Sequence, residues 1–502
     1  MFLALFIGIL WSTTYPLTGV VPAETFFAIN PLIMLMTSIS QRVLIGAAAA
    51  WLVMLALTLV LGRFFCGWVC PLGTTIDFCG VSSKKRQSSD RLNRHRSLFK
   101  YFLLAAILIA ALCGVQAAWI ADPMVIMARF VSLNLIPAVT LVLDWAFSGL
   151  IKTFGLYGWL LDWYRSLKMS FLGVQVHFFA HSLVIFLFFV LVAAGSRLVP
   201  RFWCRSVCPL GALYALAARW SWMRRIVEPC SGCQQCRVSC RMGAIRSDLS
   251  TAPGECILCM DCVYGCPQQR TYFGFSHRRT LPAGQTSPAG ITRRQFLLLG
   301  GLTAAAGMQG CVKPAAPEGE ETIGQVFPGR VIRPPGSLEE KQFLDRCVRC
   351  GNCMKVCITN GLQPALLQTG LAGIWTPQLV PEIGYCEYQC TLCGQVCPTG
   401  AIRRLGVAEK KETRIGLARI DRSLCLPWAK KKQCIVCEEH CPIARKAIQL
   451  RKVVVDGVTL YRPYINHRRC TGCAICQTKC PVRPVRAVRV YPVQESRSDA
   501  KE

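Results

Sequence analysis

The chain has 502 residues, of which 53% are hydrophobic and 17% are charged, and its mean hydropathy is +0.38. Soluble proteins carry about 25% charged residues, so these proportions argue against a wholly soluble globular protein, and they exclude an intrinsically disordered one. The formal net charge of +30 comes from 57 Lys and Arg against 27 Asp and Glu, and its meaning depends on where the basic residues lie.

Apolar runs long enough to cross a bilayer are confined to the N-terminal part of the chain. Each is close to the roughly 20 residues that a membrane-spanning helix needs. These runs are Phe2–Val20, Val43–Gly62, Leu98–Trp119 and Leu172–Gly195. The run Met124–Leu161 is also apolar, but charged residues, Pro137 and several glycines interrupt it. The sequence therefore predicts an α-helical membrane bundle of about four spans, or six if this last run crosses twice.

Basic residues cluster after the second and the fourth predicted span. One cluster extends from Lys84 to Lys100 and the other from Arg197 to Arg225, whereas the connection between the first two spans carries only Arg42. Because basic loops stay on the cytoplasmic side of a membrane, both clusters are predicted to be cytoplasmic. The number of crossings between them is then even.

A short repeat follows these same two spans. Residues Arg63–Gly73 and Arg201–Gly211 share the pattern R-F-[FW]-C-x3-C-P-L-G. The repeat predicts two related halves, each a helix pair that ends in a pair of cysteines on one membrane face. The four thiols are Cys66, Cys70, Cys204 and Cys208. They are candidates for a redox dithiol, a metal site or a further cluster, and the alternative is simple packing at helix ends.

Most of the 31 cysteines fall into six runs of four. The pattern C-x2-C-x2-C-x3-C occurs four times, at Cys230, Cys233, Cys236 and Cys240; at Cys256, Cys259, Cys262 and Cys266; at Cys347, Cys350, Cys353 and Cys357; and at Cys470, Cys473, Cys476 and Cys480. Two variants with a longer first gap are Cys386, Cys390, Cys393 and Cys397, and Cys425, Cys434, Cys437 and Cys441. Three thiolates on such a loop bind one [4Fe–4S] cluster and the fourth binds the other cluster of a pair, whereas zinc favours two separated cysteine pairs.

Six [4Fe–4S] clusters are therefore predicted, with iron bound through these cysteines rather than zinc or disulfides. Their negative charge offsets part of the basic excess, so nucleic acid is not an expected partner. The predicted domains are a membrane domain at 1–225, a two-cluster domain at 226–275, a linker at 276–340 and a four-cluster domain at 341–495. Both cluster domains are expected to be α+β and ferredoxin-like. In the first, Cys266 completes the cluster of the first run and Cys240 that of the second.

Two weaker motifs bear on function. His177 and His181 lie four residues apart on one face of the fourth predicted span, and ionisable residues in spans are often functional. They are candidate quinol contacts, with a hydrogen-bonded packing role as the alternative; a haem would lack a second axial histidine in these spans. The stretch Thr292–Leu297 contains paired arginines before an apolar run to Met308, which predicts a twin-arginine export signal.

These motifs carry a family resemblance. Residues 40–270 resemble NapH, the membrane ferredoxin subunit of periplasmic nitrate reductase systems, through the two C-x3-C-P-L-G motifs and the two runs that follow. Residues 292–490 resemble the four-cluster ferredoxins NapG and MauM, through the twin-arginine stretch and the four later runs. The chain thus resembles a fusion of the two.

The resemblance implies how the four later runs pair, outer with outer and inner with inner. The fourth ligands would be Cys480 for the first of these runs, Cys357 for the last, Cys441 for the second and Cys397 for the third. Sequential pairing is the alternative, and the linker lengths do not decide between them.

The resemblance also implies a quinol dehydrogenase module in the bacterial cytoplasmic membrane. It would take electrons from the quinone pool and pass them to a periplasmic reductase or c-type cytochrome. The first ferredoxin domain would be cytoplasmic and the C-terminal one periplasmic. Two alternatives are an accessory redox protein that helps a metalloenzyme to mature and a carrier reduced by cytoplasmic ferredoxin.

Overall fold

A computed structural model describes residues 2–15, 17, 24–43, 48–80, 90–155, 158–168, 177–275 and 331–493. The chain divides into two compact units. The first comprises Met1–Ile9, Glu24–Phe130 and Val184–Ala315, and the second comprises Leu10–Ala23, Val131–Leu183 and Ala316–Glu502. The predicted twin-arginine segment lies outside the described residues, as does the start of the first basic loop.

The first unit is mainly helical. Its helices are Phe2–Ser12, which continues into the second unit, and Glu24–Ala28, Pro31–Gln41, Ala48–Leu61, Pro71–Gly80, Asp90–Leu112, Pro123–Phe130, Ser182–Leu198 and Pro209–Ala217. Two buried caps hold this bundle together. Asn30 caps Pro31–Gln41, Asp122 caps the helix at Pro123, and Asn30 Nδ2 donates to Asp122 Oδ2 at 2.8 Å. Both helix starts thereby have partners for their unpaired N–H groups.

The first unit also contains a small α+β part. Strands Met223–Val227 and Thr271–Phe275 pair antiparallel, with Ile226 opposite Tyr272. Between them lie the short helices Gln235–Ser239 and Asp261–Tyr264. Each short helix follows the second cysteine of a run, so the strand pair closes the loop that carries both runs.

The second unit contains three two-stranded antiparallel sheets. They pair Leu362–Pro364 with Pro377–Leu379, Gly416–Ile420 with Val488–Pro492, and Ile448–Val455 with Val458–Ile465. Its helices are Ile136–Phe154, Trp159–Leu167, Glu340–Arg346, Asn352–Lys355, Leu392–Gln395, Val407–Glu412, Leu426–Ala429, Val436–Glu439 and Ile475–Lys479. The pairing of Gly416–Ile420 with Val488–Pro492 encloses the last two cysteine runs. The expected α+β ferredoxin-type character is present in both units.

The helix that is long enough to span a membrane lies in the run that the sequence analysis described as interrupted, not in one of the four predicted spans. Among the described residues, the helical segment Pro123–Phe154 is long and apolar enough to cross a membrane. The four predicted spans contain the shorter apolar helices Phe2–Ser12, Ala50–Leu61, Ser97–Leu112 and Ser182–Arg197. The segment expected to be interrupted stays helical because a π-helical turn, Val131–Leu135, precedes Pro137, which sits in the first turn of the next helix, where its missing N–H costs nothing.

The two candidate histidines do not share a helix face. His177–Ala180 is not helical, His181 has φ 63°, and the helix begins at Ser182. The expectation of one helical face is therefore wrong. Contacts within the second unit hold the segment out of the helix: Gln363 Oε1 accepts the Ala180 N–H at 2.8 Å, and Asn360 Nδ2 donates to the Phe178 carbonyl at 2.8 Å.

Candidate iron–sulfur and thiol sites

The four regular cysteine runs share one backbone conformation. The residues immediately before and after the second cysteine have positive φ in every case. These residues are Gly232 and Gln234, Leu258 and Met260, Arg349 and Gly351, and Gly472 and Ala474. Left-handed residues next to right-handed ones turn successive N–H groups toward one concave side, which attracts anions. Each regular run is therefore shaped to surround a negatively charged cluster.

The two variant runs differ at this point. Thr391 follows Cys390 with φ −125°, and Ile435 follows Cys434 with φ −120°. The longer first gap seen in the sequence therefore coincides with a different loop. The recurring left-handed positions were missed in the sequence, where only the glycines at 232, 351 and 472 were a signal.

The predicted ligands of the first run differ in their exposure. Cys230 and Cys233 are exposed, whereas Cys236 is buried and packs against Ile245 and Cys262. Only the third thiol of this run is therefore enclosed by the fold. That Cys230, Cys233 and Cys236 share a cluster with Cys266 stays a prediction.

The run that begins at Cys425 is more enclosed. Cys425 and Cys437 are buried and Cys434 is half-buried. The pKa of Cys425 is raised to about 11 and that of Cys437 to about 12, mainly by burial and partly by the charge of Cys434. The wide gap before Cys434 thus still brings it close to the other two thiols, as the sequence predicted for a shared cluster.

Burial of the thiols in the runs requires a compensating positive charge. Burial raises the pKa of Cys256 to about 12 and of Cys259 to about 11, while the N–H groups of Leu258 and Asp261 lower them. Since thiolates rather than thiols bind metal, iron would supply that charge. Further support comes from the Ala244 N–H, which donates to Cys240 Sγ at 3.3 Å, and the Ile402 N–H, which donates to Cys397 Sγ at 3.4 Å.

In the first unit the second run receives the fourth cysteine of the first. A small cavity is lined by Cys240, Cys256, Cys259 and Cys262. Cys240 thus lies with the three leading cysteines of the second run, as expected for a two-cluster fold. The donor set, four thiols around one cavity, fits a [4Fe–4S] cluster.

In the second unit neighbouring runs exchange ligands. Cys357 lines one small cavity with Cys386, Cys390 and Cys393. After burial, the charge of Cys397 is among the causes that raise the pKa of Cys347 and Cys353. In the same way the charge of Cys480 raises the pKa of Cys425 and Cys437. The charge of Cys441 raises the pKa of Cys470, Cys473 and Cys476.

The pairing of outer run with outer run, which the resemblance implied, is therefore wrong, and the sequential alternative is present. The physical reason is local. Each run needs only a short fold-back of the chain to reach the next run, so the exchange does not require the two ends of the domain to meet.

The two pairs of runs in the second unit contact each other through the second run and the fourth run. The Cys386 N–H donates to the Cys473 carbonyl at 2.9 Å. Lys410, which is buried, also lies here: burial raises the pKa of Cys386 to about 12 and that of Cys473 to about 11, and the Lys410 ammonium lowers both. The four candidate clusters thus form a continuous series, in the order first, second, fourth and third run.

The four thiols of the C-x3-C-P repeat are buried, with exposed fractions of 9% for Cys66, 6% for Cys70, 7% for Cys204 and 4% for Cys208. In each half a π-helical turn, Phe65–Val69 or Trp203–Val207, presents the first cysteine. The second cysteine is extended, and a helix starts at the following proline. The repeat in the sequence is therefore a repeat in backbone conformation.

Two buried arginines connect the halves of this site. Arg201 Nη1 donates to the Cys66 carbonyl at 3.0 Å, while its Nε and Nη2 bind Asp77. Reciprocally, Arg63 Nη2 lies so close to Gly211 that a Cβ there would be 2.9 Å away. In the second half the glycine of the motif thus leaves room for the arginine of the first half, whereas at Gly73 a Cβ would be 3.7 Å from the Arg201 guanidinium.

The site has the character of a metal or redox centre. Burial and the charges of neighbouring thiols raise the pKa of Cys70 and Cys208. Buried donors nearby, Trp203 Nε1 and Tyr214 Oη, have no partner among the described residues. No group of three or more His, Cys, Asp or Glu in the described chain is close enough for a single metal ion.

Comparison with known proteins supports this iron–sulfur character. Residues 43–89 and 180–228 match a family described as a 4Fe-4S binding domain. Both matched segments contain one copy of the C-x3-C-P motif.

The similar curated proteins are ferredoxin-type proteins. The methylamine utilization ferredoxin-type protein MauM of Paracoccus denitrificans is 35% identical over 166 residues, 32% of this chain and 72% of that protein. MauM of Methylorubrum extorquens is 34% identical over 166 residues, 32% of this chain and 73% of its own. The ferredoxin-type protein NapG of Escherichia coli K12 is 32% identical over 173 residues, 34% of this chain and 73% of its own. No solved structure matches the chain.

Proposed function

Since this chain belongs to the family of ferredoxin-type proteins that includes MauM and NapG, we propose that it carries electrons from quinol to a periplasmic acceptor through six [4Fe–4S] clusters. The observation that carries the proposal is the continuous series of cluster sites in the second unit, joined where the Cys386 N–H meets the Cys473 carbonyl. When bound, the clusters supply one-electron carriers. In the second unit the chain buries or half-buries the cysteines that would bind the clusters and places Lys410 between the two pairs.

The test uses the purified full-length chain with its clusters intact. Reduced ubiquinol or menaquinol analogues should bleach the iron–sulfur absorbance, and the reduced protein should then reduce a c-type cytochrome. Dithionite serves as the control donor that bypasses quinol. Reduction by dithionite but by neither quinol would remove the proposed donor, and failure to reduce cytochrome would remove that acceptor.

The chain is proposed to lie in the bacterial cytoplasmic membrane, with the first ferredoxin domain in the cytoplasm and the C-terminal one in the periplasm. Support comes from the apolar helix Pro123–Phe154 and the four shorter apolar helices, together with the basic loops and the paired arginines of the sequence. A reporter fused after Glu502 should be active in the periplasm, and one inserted after Phe275 in the cytoplasm. Both reporters on one side would contradict this arrangement.

The four-thiol site is proposed to hold a seventh redox centre. Its support is the burial of the thiols, their C-x3-C spacing in both halves and the unpartnered donors beside them. Replacing Cys66 and Cys204 by serine should remove the iron of one cluster while the spectra of the other clusters persist. Cys79→Ser is the matched control, because Cys79 lies in the same half, is exposed and stands outside the motif. Equal iron content in all three proteins would limit the site to dithiol chemistry or packing.

A further inference from the structure

A cavity of about 240 Å³ lies inside the second unit. Ile136 and Pro137 form one apolar wall, and Val356 and Ile358 form another. The polar side chains that reach it include His177. The other nine lining residues, His177 and Glu387 among them, have polar side chains, so the cavity offers apolar contact and several polar groups to a small organic ligand. The wall that carries Ile136 and Pro137 follows the π-helical turn Val131–Leu135, a distortion that is frequent at functional sites.

The cavity borders a candidate cluster site directly. Its lining includes the residues on both sides of Cys357, and those on both sides of Cys386. The same flanking residues also line the small cavity formed by the cysteines of the second run with Cys357. A molecule in the larger cavity would therefore be separated from that cluster by a single layer of residues.

His177 connects the lining of the cavity to this cluster site through a hydrogen bond. Its Nε2 lies 2.8 Å from the Cys357 carbonyl. A carbonyl only accepts, so Nε2 carries the hydrogen, and in the neutral ring Nδ1 is then an acceptor.

Lys355 is 3% exposed and donates to Leu10 O and Thr13 Oγ1. It thereby ties the segment that carries Thr14 and Tyr15 to the cavity rim.

We propose that this cavity binds the ring of a quinol, with His177 and Glu387 as polar contacts for its hydroxyl groups. The inference rests on the proposed function, which it deepens by locating the donor in the second unit. Oxidation breaks both O–H bonds of one quinol and yields one quinone. The two protons go to water at the cavity mouth. The two electrons go one at a time to the oxidised iron–sulfur centres that the proposed function assigns to the neighbouring cysteines.

The experiment measures binding of decylubiquinol and of menadiol to the full-length chain by equilibrium dialysis without oxygen, with the protein already reduced by dithionite so that it cannot oxidise either quinol. Iron content and electron paramagnetic resonance spectra are recorded for each protein. His177→Phe should weaken quinol binding about ten-fold, the effect of losing the hydrogen bond that a quinol hydroxyl donates to Nδ1. Thr140→Phe, which fills the cavity without touching a cysteine run, should weaken it at least as much. His181→Phe is the matched control, because His181 does not belong to the lining, and it should stay within about two-fold of the parent.

Quinol addition to the reduced protein should also perturb the spectrum of one cluster in the parent and in His181→Phe, but not in Thr140→Phe. If His177→Phe loses iron, the affinity of Thr140→Phe alone decides. Unchanged affinity in Thr140→Phe overturns the inference. So does the absence of quinol binding in a parent protein with intact clusters. If quinol still reduces the parent and the Thr140→Phe variant equally, the proposed function stands and only this site falls.

Discussion

The thiols of the C-x3-C-P repeat and most of those in the regular cysteine runs are buried or half-buried, but different groups surround them. In the repeat, Arg63 and Arg201 stand beside the cysteines, with exposed fractions of 1% and 3%. In the regular runs, left-handed residues on both sides of the second cysteine turn backbone N–H groups inward. One site is balanced by arginine side chains, from its own half for Arg63 and from the other half for Arg201, and the other site is balanced by the backbone of its own loop.

The variant run that begins at Cys386 shows what surrounds the thiols when the left-handed pair of residues is absent. Thr391 lacks the left-handed conformation, and the buried ammonium of Lys410 lies beside this run instead. Burial raises the pKa of Cys386 and Cys390, and Lys410 lowers both. The comparison teaches that a buried cation can add to a backbone nest in holding negative charge, since Lys410 also lowers the pKa of Cys473, whose regular run has the left-handed pair.

The largest expected effect is a loss of iron in variants that test the exchange of ligands between neighbouring runs. Replacing Cys347, Cys350 and Cys353 by alanine should remove the iron of one cluster. Adding Cys397→Ser should then remove no more, because in the structure Cys397 lies near Cys347 and Cys353 of that run. Adding Cys441→Ser should remove the iron of a second cluster. Iron analysis with absorbance decides, and further loss on adding Cys397→Ser would restore the outer-with-outer pairing.

A smaller effect is expected from the buried cation of the repeat. Arg201→Met leaves Asp77 without its main partner and should lower the free energy of unfolding by about 3 kcal/mol, as for other broken buried pairs. Arg241→Gln is the control, because Arg241 also contacts Asp77 but its side chain is 43% exposed. Arg241→Gln should lower the free energy of unfolding by no more than about 1 kcal/mol. Denaturant unfolding in detergent measures both, and equal costs would contradict the role of burial.

The backbone nest should be sensitive to a side chain where φ is positive. Gly232 has φ 72° and open space around its missing side chain. Gly232→Val should therefore destabilise the first run by about 1–2 kcal/mol through conformation alone. Gly406→Val is matched, since Gly406 also has open space but φ −70°. Loss of iron at lower denaturant concentration in the first variant only is the expected result; parallel curves would argue against the nest.

The smallest effect should appear in redox potential. Lys410→Gln removes a buried positive charge beside the second and fourth runs of the second unit, so reduction of those clusters becomes less favourable. The potentials should fall by roughly 50 mV, about 1 kcal/mol for one electron at an effective dielectric constant of about 20. Lys411→Gln is the control, because Lys411 is less buried and also lies over the Tyr388 ring. A potentiometric titration followed by paramagnetic resonance compares them, and no shift in either would contradict the assignment to Lys410.

Local patterns in the sequence carried much of this structure. The six runs, the repeat, the α+β character and the place of Cys240 beside the second run all depend on short spacing, which the chain itself enforces. The helical segment Pro123–Phe154 was harder to predict. Its charged residues and Pro137 resemble interruptions until a π-helical turn accommodates them.

The amino-acid sequence alone determined which residues are candidates to hold iron, because three cysteines at short spacing reach one cluster and the fourth reaches the other cluster of a pair. Tertiary structure decided what those residues face. It placed Arg63 against Gly211 across the two halves and brought His177 from its predicted helix to the Cys357 carbonyl. It also set the order of the cluster series through the contact of Cys386 with Cys473. These contacts join residues far apart in the chain, and their geometry depends on packing and on hydrogen bonds that no local spacing encodes.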